Sequence, residues 1–227
     1  MTGLFITLEG GEGAGKSTQI ARLGERLRGL GRSVVTTREP GGSPRAEAIR
    51  ESILAGHGKP FGPFAEALMF SAARLDHLKA VIRPALARGD IVLCDRFADS
   101  TRAYQGALGA VHDDVLVALE REVVGSTRPD LTLILDLPAE KGLARAAARR
   151  GGSASAPDRF EAENLFFHNK LRRAFKLIAK SEPDRCVVID ADRGADEVAE
   201  AIWEYVERLL GDDIKNDSQA HEIKENV

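Results

Sequence analysis

The chain has 227 residues, 43% of them apolar and 30% charged, the composition of an ordinary globular protein and enough length for one domain whose core needs no disulfide or metal staple. Its 32 basic and 35 acidic residues give a net charge of -3, and residues 212–227 alone hold five acids against two bases, which leaves 30 of each in the rest. A neutral body excludes a general polyanion binder, so no nucleic-acid partner is expected. No apolar run approaches the roughly 20 residues of a membrane span, so no membrane partner is expected either. The N-terminus enters a strand-like run without a basic leader, and a secretory signal is not expected. Cys94 and Cys186 lie inside the apolar runs IVLC and CVVI and read as reduced core residues of a cytoplasmic protein.

Five short, β-branched apolar runs predict buried strands: LFITLE at 4–9, VVTT at 34–37, IVLC at 91–94, LTLILDL at 131–137 and CVVID at 186–190. Between them the periodicity predicts helices at 16–29, 44–54, 64–87, 113–124, 139–150, 159–181 and 194–210. Such alternation specifies an α/β fold, a parallel sheet with helices on both faces and right-handed crossovers. Ligands on that architecture bind beyond the carboxyl ends of the strands. Residues 1–210 are expected to form a single domain. The polar stretch 211–227 has few large apolar groups and is expected to be a disordered tail.

The first strand runs into GGEGAGKST, which fits G-x-x-x-x-G-K-[ST] at Gly10, Gly15, Lys16 and Ser17 in the strand–loop–helix context the motif requires. Glycines let the backbone curl so that successive N–H groups face one anion. The following helix adds the positive end of its dipole. Gly10, Gly11, Glu12, Gly13, Ala14, Gly15, Lys16, Ser17 and Thr18 are therefore the candidate nucleotide-phosphate cradle, with Lys16 reaching the phosphates and Ser17 a Mg²⁺ ion. The N-K-x-D signature of a switch GTPase is missing: Asn169-Lys170 lies in a predicted helix and is followed by Arg172 where Asp is required. No Asp-Glu pair follows a strand, as a motor ATPase would place it. A compact phosphotransferase for a small molecule fits better.

The other strand ends carry the remaining candidates. TREPGG places Arg38 at the edge of the second strand before a tight turn, where its fork suits a phosphate; an incidental surface ion pair is the competing reading. CDRFADSTRAYQG places Asp95 and Arg96 after the third strand, next to the phosphate loop, followed by a polar wall of Ser100, Thr101, Arg102, Tyr104 and Gln105. Asp95 is placed to hold Mg²⁺, directly or through water. In the helix at 64–87, Phe64, Leu68, Leu75, Leu78, Ile82 and Leu86 form a predicted inner stripe. Phe70 falls about 120° off that stripe with Arg74 at i+4 on its own face, a ring and a donor fork suited to a planar base; packing on a neighbouring helix is the competing reading. Arg145, Arg149, Arg150 and Arg159 flank GGSASAP at 151–157 and suit a lid over phosphates at about 145–160.

FITLEGGEGAGKSTQ at 5–19, TREPGG at 37–42, LMFSAAR at 68–74, CDRFADSTRAYQG at 94–106, RPDLTLILDLP at 128–138 and DRFE at 158–161 together closely resemble the thymidylate kinase family, over residues 4 to about 208. The resemblance implies a P-loop nucleoside monophosphate kinase fold with a five-stranded parallel sheet and a lid. It implies Mg²⁺-dependent transfer of the ATP γ-phosphoryl group to dTMP, giving dTDP and ADP for dTTP biosynthesis, by a homodimer. Carried over, Phe70 stacks on thymine, Arg74 donates to its carbonyl edge, and Ser100, Thr101 and Gln105 lie along the base. Tyr104 and Glu12 approach the sugar, and Arg38 and Arg96 hold the acceptor phosphate. The phosphate loop lacks an arginine, as in the bacterial subgroup, so Lys16, Arg96, Arg149 and Arg159 are the catalytic candidates and Arg145 covers the adenine. The alternatives are another P-loop kinase, or a nucleotide-dependent switch.

Overall fold

The computed structural model describes residues 3–108, 111–150 and 160–225, and of residues 150 and 212–225 the backbone alone. Five strands form the sheet: β1 (Leu4–Gly10), β2 (Val34–Arg38), β3 (Ile91–Asp95), β4 (Leu131–Asp136) and β5 (Cys186–Asp190). All pair in parallel, in the order β2-β3-β1-β4-β5. The order reverses around β1, so its carboxyl end opens the crevice in which such sheets bind ligands. Leu8 stands opposite Asp95, and Gly10 opposite Leu135, which brings the phosphate loop and the third strand's end side by side.

Residues of β1 alternate between two cores. Leu4, Ile6 and Leu8 pack with α1 (Lys16–Gly29) and with Val198, Ile202, Trp203 and Val206 of α9 (Ala195–Glu225). Phe5 faces the other way, with Val92, Cys94, Leu78, Ile82 and Phe97; its ring meets Phe97 edge-on at 4.9 Å. The third core lies under α8 (Leu165–Ser181), where Leu171, Phe175 and Ile178 cover Ile134. Cys94 and Cys186 are buried and free. Among the described residues no helix is long and apolar enough to cross a membrane.

The helix expected at 64–87 is three pieces: α3 (Gly62–His77), a π turn over Leu78–Ile82, and α4 (Arg83–Ala87). Pro84 has no N–H and its ring would clash with the carbonyl four residues back, so one wider turn absorbs the misfit. The predicted inner stripe is also corrected. Leu78 and Ile82 are fully buried, but Phe64, Leu68 and Leu75 are 47%, 45% and 50% exposed. α3 instead turns Glu66, Ala67, Ser71, Arg74 and His77 inward, a polar face, because that face walls a cleft and not an oil-like core.

Two boundaries move. α8 begins at Leu165, not 159, where the side chain of Asn164 accepts the N–H of Phe167 at 2.9 Å as an N-cap. Residues after Asp95, expected to supply a polar wall and given no helix, form α5 (Ala98–Thr101) and a π turn at Arg102–Leu108. The remaining helices, α2 (Pro44–Leu54), α6 (Asp113–Val124) and α7 (Ala139–Arg150), lie where the periodicity puts them. The backbone of α9 runs to Glu225, past the boundary at 210; residues 212–225 contain no Pro or Gly to break it.

Candidate active site

The phosphate loop is shaped by what its glycines permit. Gly13 (φ 66°) lies so close to α7 that a Cβ there would sit 2.0 Å from the carbonyl oxygen of Gly142. Gly10 (φ 135°) comes nearly as close to β4, with a Cβ 2.6 Å from Leu135 O. No side chain fits at either position. The curl delivers Lys16 to the base of the loop, where it is buried and its Nζ donates to Gly10 O at 3.2 Å and Gly11 O at 2.9 Å. Burial, then Arg96, lowers the Lys16 pKa, against a weaker upward pull from Asp95, Glu12 and Glu9.

The end of β3 stands against this loop. Ser17 Oγ donates to Asp95 Oδ2 at 2.7 Å, so the two hard oxygen donors expected at a Mg²⁺ ion are already together. Arg96 has φ 68°, a left-handed conformation for a residue with a side chain. Such strain persists where surroundings over-determine it, and here they do. Arg96 N donates to Leu8 O at 2.9 Å. Its guanidinium reaches back to Glu12 Oε1 at 2.6 Å, Gly10 O at 3.0 Å and Ser100 Oγ at 3.3 Å. Just beyond, Glu9 accepts the N–H of Phe97 at 2.7 Å and of Ser100 at 3.3 Å, and the hydroxyl of Ser100 at 2.6 Å.

These contacts separate two carboxyls three residues apart in chain. Burial pushes Glu12 up, but Arg96 and Lys16 outweigh it and bring it to about 2; the Tyr104 hydroxyl, 3.1 Å away, adds to the lowering. Burial pushes Glu9 up to about 7, assisted by Asp99, and its hydrogen bonds only partly offset this. The Arg96 guanidinium is held protonated by Tyr104, Glu12, Asp95 and Glu9 against its own burial.

A cavity of about 300 Å³ opens from the phosphate loop and runs to α3. It brings together nearly every candidate the sequence singled out: Glu12 through Thr18, Arg38, Phe70, Arg74, Asp95, Arg96, Ser100, Thr101, Tyr104, Gln105 and Arg149. Arg74 is 4% exposed and held from two sides, by Glu39 Oε2 on its Nε at 2.8 Å and by Thr101 Oγ1 on its Nη2 at 3.1 Å. Glu39 is fixed in turn by His77 Nδ1 at 3.0 Å, and His77 Nε2 meets Thr37 Oγ1 at 2.7 Å. Gln105 donates its Nε2 to Glu66 Oε2 at 3.4 Å, while its Oε1 is buried with no partner. Phe70 lines the cavity 6.4 Å from the ring of Phe160, so its one ring serves both packing and pocket.

Some candidates stand elsewhere or are already engaged. Arg38 lines the cavity but pairs with Glu47 at 3.1 Å. Ser100 spends its hydroxyl on Glu9. Arg102 turns away from the cavity to Asp99 and Glu182. Arg145 sits apart, its Nη1 3.4 Å from Ala191 O beyond β5. Arg149 donates to Glu161 at 3.3 Å. Arg159 and residues 151–158 of the expected lid lie outside the described residues, as does the side chain of Arg150. The sequence reading passed over Glu9, Glu39, Glu66 and Phe160. Glu9 and Glu39 were visible as acids inside LFITLEG and TREPGG; Glu66 carried no signal beyond its place in a helix.

The family model for thymidylate kinase matches residues 8–202. A thymidylate kinase of Bradyrhizobium sp. strain BTAi1 is 60% identical over 208 residues, covering 92% of this chain and 91% of the relative. That of Caulobacter vibrioides is 59% identical over 209 residues, covering 92% and 98%. Among solved structures, thymidylate kinase from Ehrlichia chaffeensis superposes with a TM-score of 0.71 at 31% identity, covering 91% of this chain and 99% of that one. Identity of this order along almost the full length of both chains, carried on the same sheet and loop, leaves one conclusion: the chain belongs to the thymidylate kinase family, and is a phosphotransferase of the nucleoside monophosphate kinase class.

Proposed function

We propose that the protein transfers the γ-phosphoryl group of ATP to dTMP, yielding ADP and dTDP. The observation that carries this reading is one cavity that joins a base-sized end to the phosphate loop. Arg74, which lines it, only donates; that suits the carbonyl O4 of thymine and opposes the amino group cytosine carries at the same position. Arg74 and the ring of Phe70 share the cavity with Lys16 and the phosphate loop, which supports a base and a transferred phosphoryl group in a single cleft.

The roles follow. Phe70 stacks on the base, with Thr101 beside Arg74. Tyr104 and Glu12 meet the sugar. Arg38 and Arg96 clamp the acceptor phosphate, and residues 10–18 cradle the donor phosphates. The acceptor is a phosphate oxygen already ionised at neutral pH, so no general base is needed. Its oxygen bonds to the γ-phosphorus while the bond to the β,γ-bridging oxygen breaks. Catalysis is positioning plus charge stabilisation, supplied by Lys16, Arg96 and a lid arginine. Arg149 already lines the cleft, and Arg159 is the other lid candidate. Arg145, beside the end of β5, covers the adenine. Ser17 and Asp95 suit Mg²⁺, which takes one or two protein oxygens and fills the rest with water and phosphate; bound there, the ion neutralises charge on the donor phosphates.

A coupled ADP-release assay with dTMP, UMP, CMP, AMP and GMP tests the reading. Turnover is expected with dTMP far above the others, and equal rates with another base sink it. In the same assay Phe70→Ala is expected to raise the KM for dTMP roughly tenfold, since stacking on one ring is worth about 1–3 kcal/mol, with kcat little changed. An unchanged KM returns Phe70 to a packing role. The exposed α3 stripe of Phe64, Leu68 and Leu75 supports a homodimer closed through this face; a sedimentation mass of one chain refutes that. The free, buried Cys94 and Cys186 suit a reducing cytoplasm.

A further inference from the structure

We propose that Glu9, which does not line the cleft, is a positioning residue for Arg96: it fixes the peptide plane that follows Arg96 and thereby aims the guanidinium at the phosphate loop. The proposal rests on Arg96 acting at the transferred phosphoryl group, as the previous section has it, and concerns a residue that touches no substrate.

A side chain leaves its Cα in a direction set by the two flanking peptide planes, because φ and ψ are the only soft backbone angles between them. Arg96 takes a left-handed φ of 68°, which a residue with a Cβ keeps only where its surroundings hold both planes. The plane before it is held by its own N–H, which donates to Leu8 O at 2.9 Å. The plane after it is held at both edges. The N–H of Phe97 donates to Glu9 Oε1 at 2.7 Å. On the opposite edge Arg96 O accepts the thiol of Cys94 at 3.1 Å. Burial raises the Cys94 pKa well above its ordinary value, so the thiol keeps the proton it donates. A thiol is a weak donor, and Glu9 therefore supplies the stronger hold.

The arrangement follows from strand geometry. Phe5, Thr7 and Glu9 point to one face of β1. Phe5 meets the ring of Phe97 edge-on, and Glu9, at the cleft end of the same face, takes the Phe97 N–H. Glu9 also reaches Arg96 by a second route: its Oε2 accepts the hydroxyl of Ser100 at 2.6 Å, and Ser100 Oγ in turn accepts Arg96 Nη1 at 3.3 Å. Glu9 is 0% exposed, and burial, then Asp99, raises it to about 7. The fold thus keeps a carboxyl where burial opposes its charge. An apolar side chain there would avoid that cost, but it would leave the N–H groups of Phe97 and Ser100 without their acceptor.

Glu9→Leu keeps the bulk and removes the acceptor. In the full-length enzyme it is expected to lower kcat with dTMP about a hundredfold, the scale of a 1 Å misplacement of a reacting or stabilising group, with the KM for ATP within about twofold. Glu9→Gln keeps a carbonyl oxygen for both N–H groups, and its NH₂ donates to Ser100 Oγ, which accepts as readily as it donates. Its kcat is expected within about threefold of wild type. The loss must pass through the guanidinium: in an Arg96→Ala background, Glu9→Leu is expected to lower kcat no further than about twofold. A kcat unmoved by Glu9→Leu, or lowered by the same factor with and without Arg96, overturns the proposal and leaves Glu9 a structural residue. A Glu9→Gln variant as slow as Glu9→Leu overturns it too, since charge and not the bond to Phe97 would then matter. Should Glu9→Leu not fold, Glu9→Asp, one methylene shorter, draws the oxygens back from the Phe97 N–H and is read the same way. An Arg96→Ala enzyme as fast as wild type overturns the role of Arg96 itself, and is recognised from that single variant.

Discussion

Arg96→Ala is expected to lower kcat with dTMP by about a thousandfold, the contribution an arginine makes to a phosphoryl-transfer transition state. The side chain is 16% exposed, reaches from the end of β3 to the phosphate loop, and binds Glu12, Gly10 and Ser100 at once. The variant also changes Glu12. With Arg96 present, Glu12 titrates at about 2 and not at the ordinary 4.5, so it contributes stability that is fully present above 4.5 and is lost as pH falls through about 2. Without Arg96 the largest lowering influence is gone and the Glu12 pKa rises from about 2. Stability of the variant relative to wild type is then expected to worsen as pH rises from about 2 through 4.5, followed by thermal melts across that range. Arg96→Gly loses the same charge but relieves the left-handed φ of 68°. It is expected to be more stable than Arg96→Ala by about 1 kcal/mol, and equally inactive. A glycine variant no more stable than the alanine one removes the strain argument. A kcat within tenfold of wild type removes Arg96 from the transition state.

How far the sequence carried the site depends on what kind of signal each residue emits. The phosphate loop emits a local one: glycine spacing, a lysine and a hydroxyl between an apolar strand and a helix. Gly13 against Gly142 shows why no other residue serves there. Strand ends are likewise local, and Arg38, Asp95 and Arg96 reach the cleft because a parallel sheet points all its carboxyl ends one way. Helix α3 is different. Its apolar stripe is regular, yet the half containing Phe64, Leu68 and Leu75 faces outward. Periodicity shows that a helix has an apolar face; it does not say whether the chain's own core or another surface covers it. The inward face is polar because Arg74 lines the cleft there, and Glu66 and His77 bond Gln105 and Glu39 beside it. Phe70, off that stripe, lines the cavity, although the stripe it was measured against does not define the core.

Buried acids were the second blind spot, for a physical reason. Glu9, Glu39 and Glu66 act on backbone amides, a guanidinium and a carboxamide brought in from 35 to 91 residues away in chain. Nothing in local composition marks a carboxylate that is paid for by partners so distant. The helical run after Asp95 was hidden similarly. Its residues are polar and lack an amphipathic period, and α5 forms because Glu9 accepts the N–H groups of Phe97 and Ser100, a tertiary cap invisible from 98–101 alone.

Lys16→Met is expected to cost two to three orders of magnitude in kcat, about the loss seen when one preorganised charge or donor is removed from a developing anion, without loss of stability. Lys16 is 8% exposed, and its Nζ is held by the carbonyl oxygens of Gly10 and Gly11. Carbonyls are replaceable partners, so in the proposed reaction the ammonium would exchange them for phosphate oxygens of the nucleotide. Burial and Arg96 lower its pKa below the ordinary 10.5, which means the fold holds this charge at a cost. Removing it therefore should leave the thermal midpoint level or raise it, while activity collapses; a falling midpoint would make the lysine structural. The sign of the pH effect follows from the same shift. The active form is the protonated one, so kcat/KM for ATP is expected to fall on the alkaline side at a pH below 10.5. Lys16→Arg keeps a positive charge that does not titrate there, and its alkaline limb should move outward even though the longer, planar fork fits the tight loop less well and slows turnover. An unchanged alkaline limb in Lys16→Arg assigns that titration to another group and takes from Lys16 the role of carrying the charge that meets the transferred phosphoryl group.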